Sequence, residues 1–130
     1  MKIGFIGLGN VGSKLSGSLL RNGFDVSVYD LSSQLMVDFA KNGAKIGENP
    51  EHLMNVCDTV ITCLPSPAAS NMVMQKMLPF VKEGKTWLEM STTDDAEVKR
   101  LGTEVISRGG KAVDCPVSGG CHRADTGNIS

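Results

Sequence analysis

Three glycines and one acid carry the spacing in this chain that can do chemistry. A short apolar run (Ile3, Phe5, Ile6) leads into Gly7, Leu8, Gly9, Asn10, Val11 and Gly12. A helical stretch follows, and a second β-rich run, Val26 to Tyr29, stops at Asp30. Strand, glycine turn, helix, strand and acid, in that order, form the fingerprint of a dinucleotide site rather than of an ordinary turn. Gly7 permits a tight turn off the strand. Gly9 lets a pyrophosphate approach the backbone, and Gly12 lets the helix lie close to the sheet. The helix N-terminus offers free N–H groups and a partial positive charge to phosphates. Asp30 is placed to accept hydrogen bonds from the two hydroxyls of an adenosine ribose. Leu31 stands where a basic residue would receive a 2′-phosphate, and no Arg or Lys lies between Tyr29 and Lys41. The pattern favours NAD over NADP.

The elements that must position these residues alternate along the chain, which predicts a doubly wound parallel sheet of six strands with helices on both faces, a Rossmann fold. Strands are expected at Lys2 to Gly7, Asp25 to Tyr29, Ala44 to Ile46, Thr59 to Leu64, Thr86 to Met90 and Lys111 to Asp114. The first helix runs from Val11 to about Asn22, with Val11, Leu15 and Leu19 on one face and Gly23 as its stop. Ser32 or Ser33 caps the second, which ends at Asn42-Gly43. Asn49-Pro50 and Ser66-Pro67 each pair a cap with a proline at the first helical position. Asp94 and Glu97 form an acidic, box-like start for a helix carrying Val98, Leu101 and Val105. Met72, Met74 and Met77 share one short helix and are read as packing residues. Six strands in this rhythm make two βαβ halves joined at a switch point, where ligands bind.

Three further segments leave the carboxyl ends of strands, where this fold places its ligand. The backbone of Leu64-Pro65-Ser66 is placed to line a cofactor cleft, or simply to start a helix. In Ser91-Thr92-Thr93 one hydroxyl can reach the nicotinamide or its ribose; the alternative is helix capping by Thr93 or Asp94. In Asp114-Cys-Pro-Val-Ser118-Gly119-Gly120 two glycines after a serine expose backbone N–H groups beside a hydroxyl, an arrangement suited to a carboxylate.

Composition narrows the class. At 130 residues and 41% apolar, the chain is one domain with enough material for a core. A net charge of −1 gives no basic surface for nucleic acid. No apolar run approaches a membrane span. The apolar run of the first strand begins at Ile3 with no signal segment expected before it, which gives a cytoplasmic expectation. Cys57, Cys63, Cys115 and Cys121 lack metal-ligand spacing, and no metal site is expected, the Cys115, Cys121 and His122 grouping included. Cys63 reads as a small buried hydrophobe within the fourth strand.

Gly4 to Gly12, Leu64-Pro65, Ser91-Thr92 and Asp114 to Gly120, with Thr126-Gly127-Asn128-Ile129 beyond, resemble the β-hydroxyacid dehydrogenases, and among them the 3-hydroxyisobutyrate dehydrogenase type. The resemblance spans the whole chain. It implies reversible NAD(P)-dependent oxidation of a small 3-hydroxy acid to its semialdehyde. By the same resemblance, the turn formed by Gly7, Leu8, Gly9, Asn10, Val11 and Gly12, with Asp30 and its neighbour Leu31, holds the adenosine half of the cofactor. Leu64, Pro65 and Thr92 line the path to the nicotinamide. Ser118, Gly119 and Gly120 grip the carboxylate of a small substrate.

Val11 stands where the family usually has methionine, and Glu89 where it often has aspartate. The family's proton-moving lysine lies on a long helix after the Ser-Gly-Gly segment, followed by an all-helical domain; no lysine among these residues matches it. No catalytic residue is therefore assigned. The expectation is a cofactor-binding domain over residues 1–130, catalytically incomplete by itself. It should self-associate, near Val113 to Val117, or dock to a helical domain. Cys121-His122 replaces the Glu-Glu that follows Ser-Gly-Gly in 6-phosphogluconate dehydrogenase, which argues against that substrate. Two alternatives are a non-catalytic nucleotide-binding module acting through partners and an S-adenosylmethionine-dependent methyltransferase. The methyltransferase has no role for the Asp-x-Pro-Val-Ser-Gly-Gly segment.

Overall fold

A six-stranded, all-parallel sheet runs in the order β3-β2-β1-β4-β5-β6 through the computed structural model, which describes residues 1–91 and 95–115. The strands are β1 (Lys2–Ile6), β2 (Asp25–Tyr29), β3 (Lys45–Ile46), β4 (Thr59–Thr62), β5 (Thr86–Glu89) and β6 (Lys111–Asp114). Between them lie α1 (Asn10–Arg21), α2 (Ser33–Lys41), α3 (Pro50–Val56), α4 (Pro67–Met77) and α5 (Asp95–Ser107), with a short 3-10 turn, Leu78–Phe80, after α4. The strand order reverses between β1 and β4, so the chain leaves these neighbours toward opposite faces and opens a crevice at their carboxyl ends.

Alternation along the strands builds two cores. Ile3, Phe5, Val26, Val28 and Ile61 face α1 and α2, packing with Leu15 and, at the margin, Leu35 and Phe39. Ile6, Val60 and Trp87 face the other layer, with Leu53 and Met54 of α3, Met74 and Met77 of α4, and Val98, Leu101 and Val105 of α5. Both faces are covered, as an all-parallel sheet requires.

The helix starts follow local chemistry. Asn49 accepts a hydrogen bond from the His52 amide at 2.7 Å, and Ser66 accepts one from the Ala69 amide at 3.1 Å. Ser32, not Ser33, caps α2 by accepting from the Leu35 amide at 3.4 Å. Pro50 and Pro67 occupy the first helical positions. Gly23 and Gly43 take up positive φ beyond the ends of α1 and α2.

Two expectations need correction. β4 ends at Thr62 rather than Leu64. Its partner β1 stops at Ile6, where Gly7 swings the chain away at φ +102°, so the last link is the Cys63 amide donating to the Ile6 carbonyl at 2.9 Å. Cys63 therefore lies just beyond the strand, half-buried and beside the crevice. Met74 and Met77 are core residues as expected, but Met72 is 64% exposed on the other side of α4. Thr92, Asp94, Ser118, Gly119, Gly120, Cys121 and His122 lie outside the described residues. Of the expected association surface, Val113 is 45% exposed on the β6 edge, and the part beyond Cys115 also lies outside them. Among the described residues no helix is long and apolar enough to cross a membrane.

Candidate functional site

The register places Tyr29, Ile6, Thr62 and Glu89 side by side in one row across β2, β1, β4 and β5, each the last residue of its strand. Immediately beyond this row lies a cleft of about 660 Å³. Gly7, Gly9, Asn10, Val11 and Gly12 form one wall, Asp30 and Leu31 another, and Leu64 and Pro65 a third. The structure thus brings together the residues that the sequence singled out from three separate segments.

Leu8 is the exception among them. Its side chain is buried in the α1–α2 core, while its amide donates to Asp30 Oδ2 at 2.7 Å. The other Asp30 oxygen, Oδ1, accepts from the Ser32 amide at 2.9 Å. Asp30 therefore ties the glycine turn to the start of α2. Each carboxylate oxygen retains acceptor capacity, because an ionised carboxylate offers about four lone-pair sites.

The glycine turn leaves room where a phosphate would need it. A Cβ at Gly9 would meet no heavy atom within 4 Å. Gly9, at the capping position before α1, supplies no side-chain cap, whereas α2, α3 and α4 are capped by Ser32, Asn49 and Ser66. The first amides of α1 thus meet the cleft without a competing side chain, the arrangement that suits an anion at a helix N-terminus. Gly12 serves close approach: a Cβ there would overlap the Gly7 carbonyl oxygen. Since that oxygen belongs to the backbone, Gly12→Ala must push α1 off β1. The expected cost is about 1–3 kcal/mol, as for other overpacked sites. Urea unfolding measures it, and an unchanged midpoint would contradict this packing.

The cleft also has walls the sequence did not announce. Ala69, Met72, Val73 and Lys76 of α4 line it, as do Leu35, Pro50, Cys63 and Met90, beside Ser91, which the sequence did single out. α4 is apolar on several sides, so periodicity alone does not say which side meets the cleft. Leu31 is 94% exposed at the rim. Exposed leucine and methionine on a cleft suit the face of a flat ring better than they suit water. Burial, with the Glu89 carboxylate nearby, pushes the Cys63 thiol up to about 11. Cys63 is thus a neutral lining group at physiological pH, not a base or nucleophile. Ser91 is buried and its hydroxyl oxygen accepts the Leu64 amide, tying the β4 and β5 exits together. Among the described residues, no group of His, Cys, Asp and Glu is arranged to hold a metal ion.

Comparison with known proteins agrees with this geometry. The sequence profile of the NAD binding domain of 6-phosphogluconate dehydrogenase matches residues 2–130. The mitochondrial 3-hydroxyisobutyrate dehydrogenase of Rattus norvegicus is 34% identical over 131 aligned positions, covering 98% of this chain and 39% of the rat protein. The human cytokine-like nuclear factor N-PAC is also 34% identical, over 98% of this chain and 24% of its own length. A crystal structure of Mycobacterium tuberculosis 3-hydroxyisobutyrate dehydrogenase with L-serine superposes with a TM-score of 0.90 at 26% identity, covering 98% of this chain and 44% of that one. The chain thus spans less than half the length of each of these relatives. Its glycine turn, its strand order and the profile match over nearly every residue lead to one assignment: the chain belongs to the family of the NAD-binding domain of 6-phosphogluconate dehydrogenase.

Proposed function

We propose that the cleft binds NAD(H), and that the chain is the cofactor-binding part of a dehydrogenase that oxidises a small 3-hydroxy acid of the 3-hydroxyisobutyrate kind. The observation that carries this is the uncapped start of α1 facing a cleft whose opposite rim bears Asp30. In this reading the amides after Gly9 hold the pyrophosphate, Asp30 accepts from the ribose hydroxyls, and Leu31, Met72 and Val73 flank the adenine. Leu64, Pro65 and Thr92 line the way to the nicotinamide, which supplies the hydride chemistry when bound. Ser118, Gly119 and Gly120 take the substrate carboxylate. L-serine, present with the mycobacterial relative, is itself a carboxylate with a hydroxyl on carbon 3, which agrees with that substrate class. The substrate pocket is completed by a helical domain outside residues 1–130, and the protein works in the cytoplasm.

Calorimetric titration tests the cofactor. NADH is expected to bind at least about tenfold more tightly than NADPH, because Asp30 repels a 2′-phosphate and no cation follows it; tenfold corresponds to about 1.4 kcal/mol. Tighter binding of NADPH would overturn the assignment.

A second reading has its own support. N-PAC, named as a nuclear factor, matches this chain at the same 34% identity as the rat dehydrogenase. A nucleotide-binding module acting through partners would bind NADH and show no turnover in any longer form of the protein. Dehydrogenase activity of a longer form separates the two.

A further inference from the structure

One buried acid has no part in the cleft's lining. Glu89 is 0% exposed at the end of β5, beneath the cleft floor. Oxygen Oε1 accepts from the Thr62 hydroxyl at 3.1 Å and from the Ser91 amide at 2.9 Å. The direction of these bonds is fixed. Trp87 Nε1 can only donate, and it donates to Thr62 Oγ1 at 2.9 Å. The Thr62 hydroxyl proton is then turned toward Glu89. One step further, Ser91 Oγ accepts the Leu64 amide. A continuous path therefore runs from the core indole through Thr62, Glu89 and Ser91 to Leu64. Leu64, Pro65, Met90 and Ser91, at its outer end, all line the cleft. The second oxygen, Oε2, has no partner among the described residues.

A buried acid with one unpartnered oxygen is costly in a core that apolar residues could fill. Packing alone does not account for it. We propose that Glu89 is a positioning residue: its Oε1, acting through the Ser91 amide and hydroxyl, fixes the β4 and β5 exits in the spacing that the cofactor needs. Glu89 touches no ligand. It sets where Leu64 and Pro65 stand. Acceptor geometry matters in this role, so glutamine, which keeps a carbonyl oxygen at the Oε1 position, substitutes for Glu89, whereas alanine, which offers no acceptor, does not.

The inference rests on the cleft being the cofactor site, so its test has one readout that needs no cofactor. Amide hydrogen exchange is followed at Leu64 and Ser91 in the unliganded chain, and NADH affinity is measured by calorimetry. Glu89→Ala is expected to speed exchange at both amides and weaken NADH about tenfold, while Glu89→Gln stays within about twofold, one decade being about 1.4 kcal/mol. Ser91→Ala should speed exchange at Leu64 alone, which keeps the path testable if Glu89→Ala does not fold. Val105→Ala, a core change near the far end of α5, controls for general destabilisation and should leave both amides and the affinity as they are. If Glu89→Gln loses as much as Glu89→Ala, charge rather than geometry is at work and the proposal fails. It also fails if exchange at Leu64 and Ser91 does not respond, or if Val105→Ala reproduces the effect. If exchange responds as expected but the unmutated chain binds neither NADH nor NADPH, the positioning path stands and the cofactor assignment falls.

Discussion

Residues 1–130 are expected to bind NADH and yet leave 3-hydroxyisobutyrate unoxidised. Oxidation of that alcohol requires a group to accept the hydroxyl proton as hydride leaves. The titratable groups lining the described cleft do not offer one. Asp30 already accepts the Leu8 and Ser32 amides. The Cys63 thiol, with its titration pushed up to about 11, is not a base at neutral pH. Tyr29 closes β2 next to Asp30, and Lys76 stands more than two turns into α4, away from the strand ends. Positioned proton transfer contributes typically ~10²–10⁴-fold. Holding the substrate in reacting geometry supplies about 7–11 kcal/mol more when it is complete. In the proposed reading both terms are supplied by parts of the protein beyond this cleft, so turnover should lie at the assay background. The measurement follows NADH absorbance with NAD and 3-hydroxyisobutyrate, alongside a calorimetric check that the same preparation binds NADH. Turnover at enzyme-like rates would mean that a proton acceptor lies within residues 1–130, with His122 the first suspect.

What the sequence made legible here is local chemistry. The caps at Asn49 and Ser66 were readable because each needs only its own side chain and an amide three residues on, and the same rule narrowed the α2 cap to Ser32 or Ser33. The β2 and β6 boundaries were readable because turn residues bracket them. The cleft's first wall was readable for the same reason: the glycine spacing is a property of six consecutive residues, Gly7 to Gly12. The end of β4 was not, since it depends on where β1 turns away at Gly7. Met72 and Lys76 were missed because the side of α4 that meets the cleft is decided by how the helix lies on the sheet. The path through Glu89 was invisible for a related reason. It needs Thr62 opposite Glu89 in the β4–β5 register, and nothing local to either residue sets that pairing. Asp30 is the intermediate case: its place after β2 was legible, but its bond to the Leu8 amide, 22 residues away, was not.

That bond changes what removing Asp30 should do. Asp30→Ala is expected to weaken NADH about 10- to 100-fold. Hydrogen bonds to a charged group contribute about 1.5–3 kcal/mol, and each 1.4 kcal/mol is about a decade in affinity. A carboxylate that only touched ribose would leave the unliganded protein unchanged on removal. Here the Leu8 and Ser32 amides lose their acceptor as well. The unliganded variant should therefore unfold more easily, by about 1 kcal/mol for a part-buried pair of bonds, seen as a melting temperature lower by about 3–5 °C. Asn at this position keeps one oxygen for one amide and should fall between the two. NADPH is the internal control. Removing the charge relieves repulsion of the 2′-phosphate, so the affinity of Asp30→Ala for NADPH should fall less than its affinity for NADH, or rise. Calorimetry with both cofactors, paired with thermal unfolding of each unliganded variant, separates the ribose contact from the turn. Equal loss for NADH and NADPH, matched by the loss of stability, would mean that Asp30 only braces the glycine turn. Unchanged NADH affinity would remove Asp30 from the site altogether.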